Sequence, residues 1–158
     1  MTISVKRVQW WTGPIEDRPG GISAALKPLA AAGVNLDFVQ AARSPDVRGT
    51  GVVCVAPITT VAGAQAAEAA GLRPATAVAA LRVEGANKPG LGYAMTRILA
   101  VAGISVRGLC AGVLGDRFVA YLEFDSPSDA KRAADLLAEA DAPGRGVRRR
   151  GETRKHRV

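Results

Sequence analysis

The alternation of apolar and polar positions divides the chain into short elements. "ISVKRVQWW", residues 3–11, is rich in strand formers and ends before Gly13-Pro14. The loop "IEDRPGG" leads into a stretch with Ile22, Leu26 and Leu29 at helical spacing, closed by Gly33. "VNLDFVQAA" then places Val34, Leu36 and Phe38 on one side and Asn35 and Asp37 on the other, the period of a half-buried strand. "SPDVRGTG" reads as a hairpin loop, "VVCVA" as a third strand, "TTVAGAQAAEAAG" as a Thr-capped second helix and "TAVAAL" as a fourth strand. Pro28 falls inside the first helix, where a missing N–H and a ring clash cost roughly 3 kcal/mol, so a kink or an early end is expected.

The same series then recurs. "ALRVEG" is followed by the turn Lys88-Pro89-Gly90, a helix over 91–102, "ISVRGLCAGV", an "LGD" turn, "RFVAYLEF" and a helix over 127–140 opened by Ser126 or Ser128. In that last helix Ala130, Ala133, Ala134 and Leu137 form the apolar stripe, with Lys131, Arg132 and Asp135 opposite. Pro19-Gly20 matches Pro89-Gly90 at an offset of 70, and Gly33-Val34 matches Gly103-Ile104 in the same ungapped register. The order is βαββαβ twice, which predicts an α+β chain of two tandem ferredoxin-like sandwiches with antiparallel sheets. The expected division is residues 1–76, residues 77–145 and a basic tail, residues 146–158. Two such units cover their bare sheet edges by meeting either edge to edge or face to face. The second unit has only the charged "RGVRRRG" left for its fourth strand, which must then be an edge. Of Trp10 and Trp11, neighbours that face opposite ways, one is expected in the core and the other at an edge, an interface or also in a core.

Composition narrows the function classes. The formal charge of +7 is unevenly spread: residues 141–158 hold seven Lys or Arg against two acids, net +5, leaving 14 bases and 12 acids in the rest, net +2. Such a tail can touch phosphate backbones through sequence-independent electrostatics, or simply be a solvated end. If it binds nucleic acid, deleting residues 141–158 abolishes the binding. The sheet itself lacks the aromatic platform of an RNA-binding module, since aromatics are 4% of the chain. No run approaches a membrane span and "MTISVKRVQWW" is not a secretory leader, so a cytoplasmic protein without membrane contact is expected. Cys54 and Cys110 sit in apolar segments without a ligand set for zinc and read as reduced core residues. The single histidine, His156, lies in the tail, and neither a nucleophile–His pair nor a phosphate-cradling Gly loop is present. No catalytic residue, metal or cofactor is expected, and the chain reads as a non-enzyme.

The repeated pattern, a strand, an (Asp/Asn)-x-Pro-Gly turn, a helix and a Gly-(Val/Ile)-Asn entry to the next strand, resembles the ACT domain, a regulatory module of amino-acid metabolism. "DRPGGISAALKPLAAAGVNLDFV" matches closely, and "NKPGLGYAMTRILAVAGISV" matches with Ser105 in place of Asn. The resemblance spans about residues 1–145. It implies amino-acid binding where two such domains meet, between the first turn of one and the second strand of its neighbour. Carried over, this points to Asp17, Arg18, Pro19, Gly20, Gly21, Ile22 and Asn35, and to Asn87, Lys88, Pro89, Gly90, Leu91 and Ser105. Helix N-termini suit a ligand carboxylate, while Asp17 or Asn87 can accept from an ammonium or merely cap the helix. The function implied is a stand-alone regulatory or sensor protein, a homodimer that binds a small amino acid or related carboxylate and signals to a protein partner. The alternatives are a pure association module, or nucleic-acid contact through the tail.

Overall fold

The computed structural model describes residues 3–141; the expected strand "RGVRRRG" and the basic tail lie outside them. The order is β1 (Ile3–Val8), β2 (Trp11–Glu16), α1 (Gly21–Ala31), β3 (Phe38–Arg43), β4 (Thr50–Ala56), α2 (Val61–Ala69), β5 (Arg73–Pro74), β6 (Ala79–Ala86), α3 (Leu91–Val101), β7 (Gly108–Leu114), β8 (Arg117–Phe124) and α4 (Pro127–Asp141). They form two four-stranded antiparallel sheets, ordered β3-β4-β2-β5 and β1-β6-β8-β7. This is the expected α+β architecture.

The strand partners differ from the chain-order reading. The single strand expected over residues 3–11 is two strands in two sheets: β2 opens the first sheet, whereas β1 pairs with β6, from Ile3 opposite Gly85 to Val8 opposite Ala80. The span 1–76 therefore does not coincide with one sheet. Both sides of β6 are taken, by β1 and β8. Ile3 and Val5 pack onto the apolar core of the second unit. Likewise "TAVAAL" is not the fourth strand of the first unit. Its second half opens β6, and the two-residue β5 pairs with β2 instead.

Three apolar clusters follow. Leu81, Val83, Leu91, Met95, Leu99, Leu122, Phe124 and Leu137 lie in the core between the second sheet and α3 and α4. Trp11, Ala25, Leu29, Val53, Val55, Ala67 and Leu72 form that of the first unit. Trp10, Phe38, Ala56, Ala80 and Tyr121 form the third. Residues paired across a ladder share a face, and the registers put Phe38, Ala56, Ala80 and Tyr121 on the helix-free faces of the two sheets. The units thus meet face to face, with the Trp10 and Phe38 rings stacked 5.0 Å apart and Phe38 4.3 Å from Tyr121. Both tryptophans are buried, Trp11 in a core and Trp10 between the sheets.

Local expectations meet mixed outcomes. Pro28 does not end α1, which matches α3 at 11 residues; the carbonyl it leaves without a donor, that of Ala24, belongs to an exposed residue open to water. The buried face of α1 is Gly21, Ala25 and Leu29, and Ile22 is 45% exposed. Gly13-Pro14 does not stop β2, because β5 pairs only with Trp11 and Thr12 and leaves β2 bonded on one side beyond them. β3 begins only at Phe38, so Val34 and Leu36 reach the first core while Phe38 faces the other sheet. Thr60 caps α2 through the Gly63 N–H at 3.0 Å, and Ser126 caps α4 through Asp129 N–H at 3.0 Å. Cys54 is half-buried and Cys110 exposed, both free thiols, so Cys110 is no core residue; β7 is an edge strand among the described residues, exposed from Leu109 to Leu114.

Candidate functional site

The first turn is built by two glycines with different tasks. Gly20 has φ of 87°, as its counterpart Gly90 has 81°, a left-handed conformation that L side chains avoid. Gly21 is required by space: a Cβ there would collide with the Glu16 carbonyl oxygen. Gly21 N–H donates to the Arg18 carbonyl and Ala24 N–H to Gly20, leaving the N–H groups of Ile22 and Ser23 without a backbone acceptor among the described residues. Helix α1 has no side-chain cap, so Asp17 is not its cap.

Asp17 is held otherwise. Its backbone N–H donates to the Gly49 carbonyl at 3.0 Å, and Arg43, at the end of β3, donates from Nε to its carboxylate at 3.0 Å. Arg18 pairs with Glu16. Between this turn and β3 lies an open cavity of about 220 Å³, walled by Asp17, Arg18, Ile22 and Arg43 over Ile15 and Ala41. It offers an apolar floor, a helix start and both signs of charge, the elements needed to hold a small zwitterion.

The other expected residues are arranged differently. Asn35 precedes β3 and lies at the end of that strand opposite Arg43, so it does not line this cavity. Ser105 does not line it either. At the second turn Asn87 N–H donates to the Asp116 carbonyl at 2.7 Å, α3 also lacks a side-chain cap, and Leu91 is buried in the core where the first unit has Gly21. Position by position, Asp17 corresponds to Asn87 and Arg43 to Val113, so the acid–base clamp has no counterpart in the second copy.

Electrostatics also marks the boundary between the units. Arg82 on β6 donates to Asp37, before β3, at 2.6 Å, and its Nε lies 2.8 Å from Glu84, which in turn pairs with Arg117 at 3.5 Å. Burial pushes the Tyr121 phenol up, opposed by Arg82, so its O–H stays a donor. Burial also raises Glu123, with Arg107 opposing, and raises Cys54, opposed by its hydrogen bond to Thr12. Among the described residues no three His, Cys, Asp or Glu side chains gather as a metal site, and no helix is long and apolar enough to cross a membrane.

No protein-family model matches this sequence, and no curated protein matches it. Solved structures do. Protein BT0572 from Bacteroides thetaiotaomicron superposes with a TM-score of 0.71 at 13% identity, over 86% of this chain and 90% of its own. The ligand-free regulatory subunit of aspartate kinase from Thermus thermophilus gives 0.61 at 16%, over 89% and 97%. That from Thermus flavus gives 0.56 at 18%, with the same coverage. The chain has the ACT-domain fold. Within the ACT fold, Arg43 and the Arg82–Asp37–Tyr121 group are the polar features that sequence reading missed. Arg43 was within reach, since it continues the helix-facing row of Val39 and Ala41 by one step of two. The Arg82 group carried no local signal, because its members lie 45 and 39 residues apart along the chain.

Proposed function

We propose that this protein is a regulatory or sensor protein, without catalysis of its own, that binds a small amino acid or related carboxylate at its first turn where a second ACT domain approaches. The observation that carries this reading is the Asp17–Arg43 clamp over an open cavity beside the N-terminus of α1. The ligand carboxylate would take the Ile22 and Ser23 N–H groups or Arg43, and its ammonium Asp17. The fold it shares with regulatory subunits of aspartate kinase supports a regulatory role. Because Asn35 is remote from the cavity within one chain, a homodimer is the arrangement in which a neighbour's residues would complete the site. Linkage then requires the ligand to prefer one arrangement of the protomers and so to signal to a protein partner.

Calorimetry and thermal shift with the twenty amino acids and their keto-acid relatives test it. One of them is expected to raise Tm, with the rise lost in Asp17→Ala and kept in Asn87→Ala. No stabilisation by any of them rules the reading out.

Association without a ligand is a second reading, favoured by β7. This edge strand is uncharged from Gly108 to Leu114, with Leu114 88% exposed and Leu109 and Val113 about half exposed. Light scattering of ligand-free protein that gives a stable dimer, together with a blank ligand screen, would select it.

A further inference from the structure

A second cavity, of about 390 Å³, lies between the two units on the helix-free side and shares no residue with the first-turn cavity. One wall carries Lys6 of β1, Arg82 of β6 and Tyr121 of β8; the other carries Asp37 and the segment from Ala56 to Thr59. Its apolar lining is Val8, Ala56, Pro57 and Ile58.

The β1–β6 register sets Lys6 directly opposite Arg82 on one face, and like charges facing each other across a ladder are unfavourable. Arg82 is neutralised by Asp37 and Glu84, but Lys6 is exposed and has no acidic partner among the described residues. Arg7 also lines the cavity, yet its guanidinium donates to the Pro127 carbonyl. Tyr121 is 4% exposed, and its hydroxyl, closed off from solvent, has no hydrogen-bond partner among the described residues. One wall therefore holds an ammonium and a hydroxyl that lack acceptors among the described residues, while Asp37 on the facing wall is engaged by Arg82 at 2.6 Å.

We propose that this cleft binds a small organic carboxylate with a compact apolar group and no ammonium. Lys6 supplies the charge, Tyr121 a second donor, and Val8, Ala56, Pro57 and Ile58 take the apolar part. A free amino acid fits poorly, since its ammonium would compete with Arg82 for Asp37. Because the walls come from both units, occupancy favours the face-to-face arrangement over any other.

Calorimetric titration of the full chain with benzoate, 4-methyl-2-oxopentanoate, leucine and inorganic phosphate tests the proposal. Saturable binding of at least one of the two carboxylates is expected, with leucine and phosphate at least tenfold weaker. Lys6→Met should weaken it about tenfold and Tyr121→Phe about threefold, both variants keeping the wild-type circular dichroism, while Arg43→Ala leaves it unchanged. Three results overturn the proposal: no saturable binding of either carboxylate at millimolar concentration, phosphate binding equally well, or binding that survives Lys6→Met and is lost in Arg43→Ala. The last would place the carboxylate in the first-turn cavity and leave the proposed function standing.

Discussion

The two copies of the repeat share a fold and spend their side chains differently. At matched positions the first has Gly21, Ala25 and Pro28 where the second has Leu91, Met95 and Ile98. Leu91 and Met95 fill the larger of the two unit cores, whereas the first core relies on alanines, Val53, Val55, Leu29, Leu72 and Trp11. Conversely, the first copy places Asp17 and Arg43 over a cavity where the second has Asn87 and Val113. One scaffold thus supports a unit biased toward packing and a unit biased toward an open polar turn. The lesson is that the Pro-Gly turn specifies backbone geometry alone, and the residue two or more places away decides whether that geometry serves a core or a site.

The comparison can be broken most forcefully in the cores. Leu29 and Leu99 are equivalent and both fully buried. Each Leu→Ala change should cost about 2–5 kcal/mol, with Leu99→Ala the larger because it sits in the larger core cluster. Urea unfolding of the two variants measures this, and a greater loss at Leu29 would contradict the ranking.

Next come the glycines. Gly21→Ala should destabilise by about 2 kcal/mol or more, since the new Cβ meets the Glu16 backbone carbonyl. Gly92, one residue further into its helix in the second copy, is exposed with open space around it. Gly92→Ala should therefore stabilise by about 0.5–1 kcal/mol. Opposite signs in thermal melts would sharpen the contrast between the two helix starts; equal signs would remove it.

The bridge between the units should be smaller in effect. A double-mutant cycle on Asp37→Ala and Arg82→Ala is expected to give a coupling of about 1 kcal/mol or less, because both groups keep partial solvent contact. Smallest is a pH effect at Glu123, whose carboxyl is raised chiefly by burial. A raised carboxyl adds stability while protonated, and that contribution is lost as pH rises through the folded value. Glu123→Gln should accordingly raise stability at pH 7 by up to about 0.5 kcal/mol and change nothing at low pH, as read from chemical denaturation at two pH values.

Much of the fold was legible because its signals are local. The caps at Thr60 and Ser126, the stripe of α4 and the paired Pro-Gly turns depend on residues three or four apart. The first-turn site was half legible: Asp17 and Ile22 sit in the repeat itself, while Arg43 joins them only through the β3–β4 ladder. Asn35 shows the reverse case, a residue that the family resemblance joins to the turn and that a single chain keeps at the other end of β3.

The sequence by itself determined the repeat register, the element types, the glycines at Gly20 and Gly90 and the inequality of the two copies. All of these rest on short-range sterics, hydrogen bonding and periodicity, which a linear chain carries in full. Only the tertiary structure decided which sheet receives Ile3–Val8, that the units meet through Trp10, Phe38 and Tyr121, and that Lys6 comes to stand opposite Arg82. Alternation tells which face of a strand is buried, but the partner is chosen by competition among distant apolar surfaces. Here the strand carrying Ile3 and Val5 packs onto the core of the second unit and takes the edge beside β6.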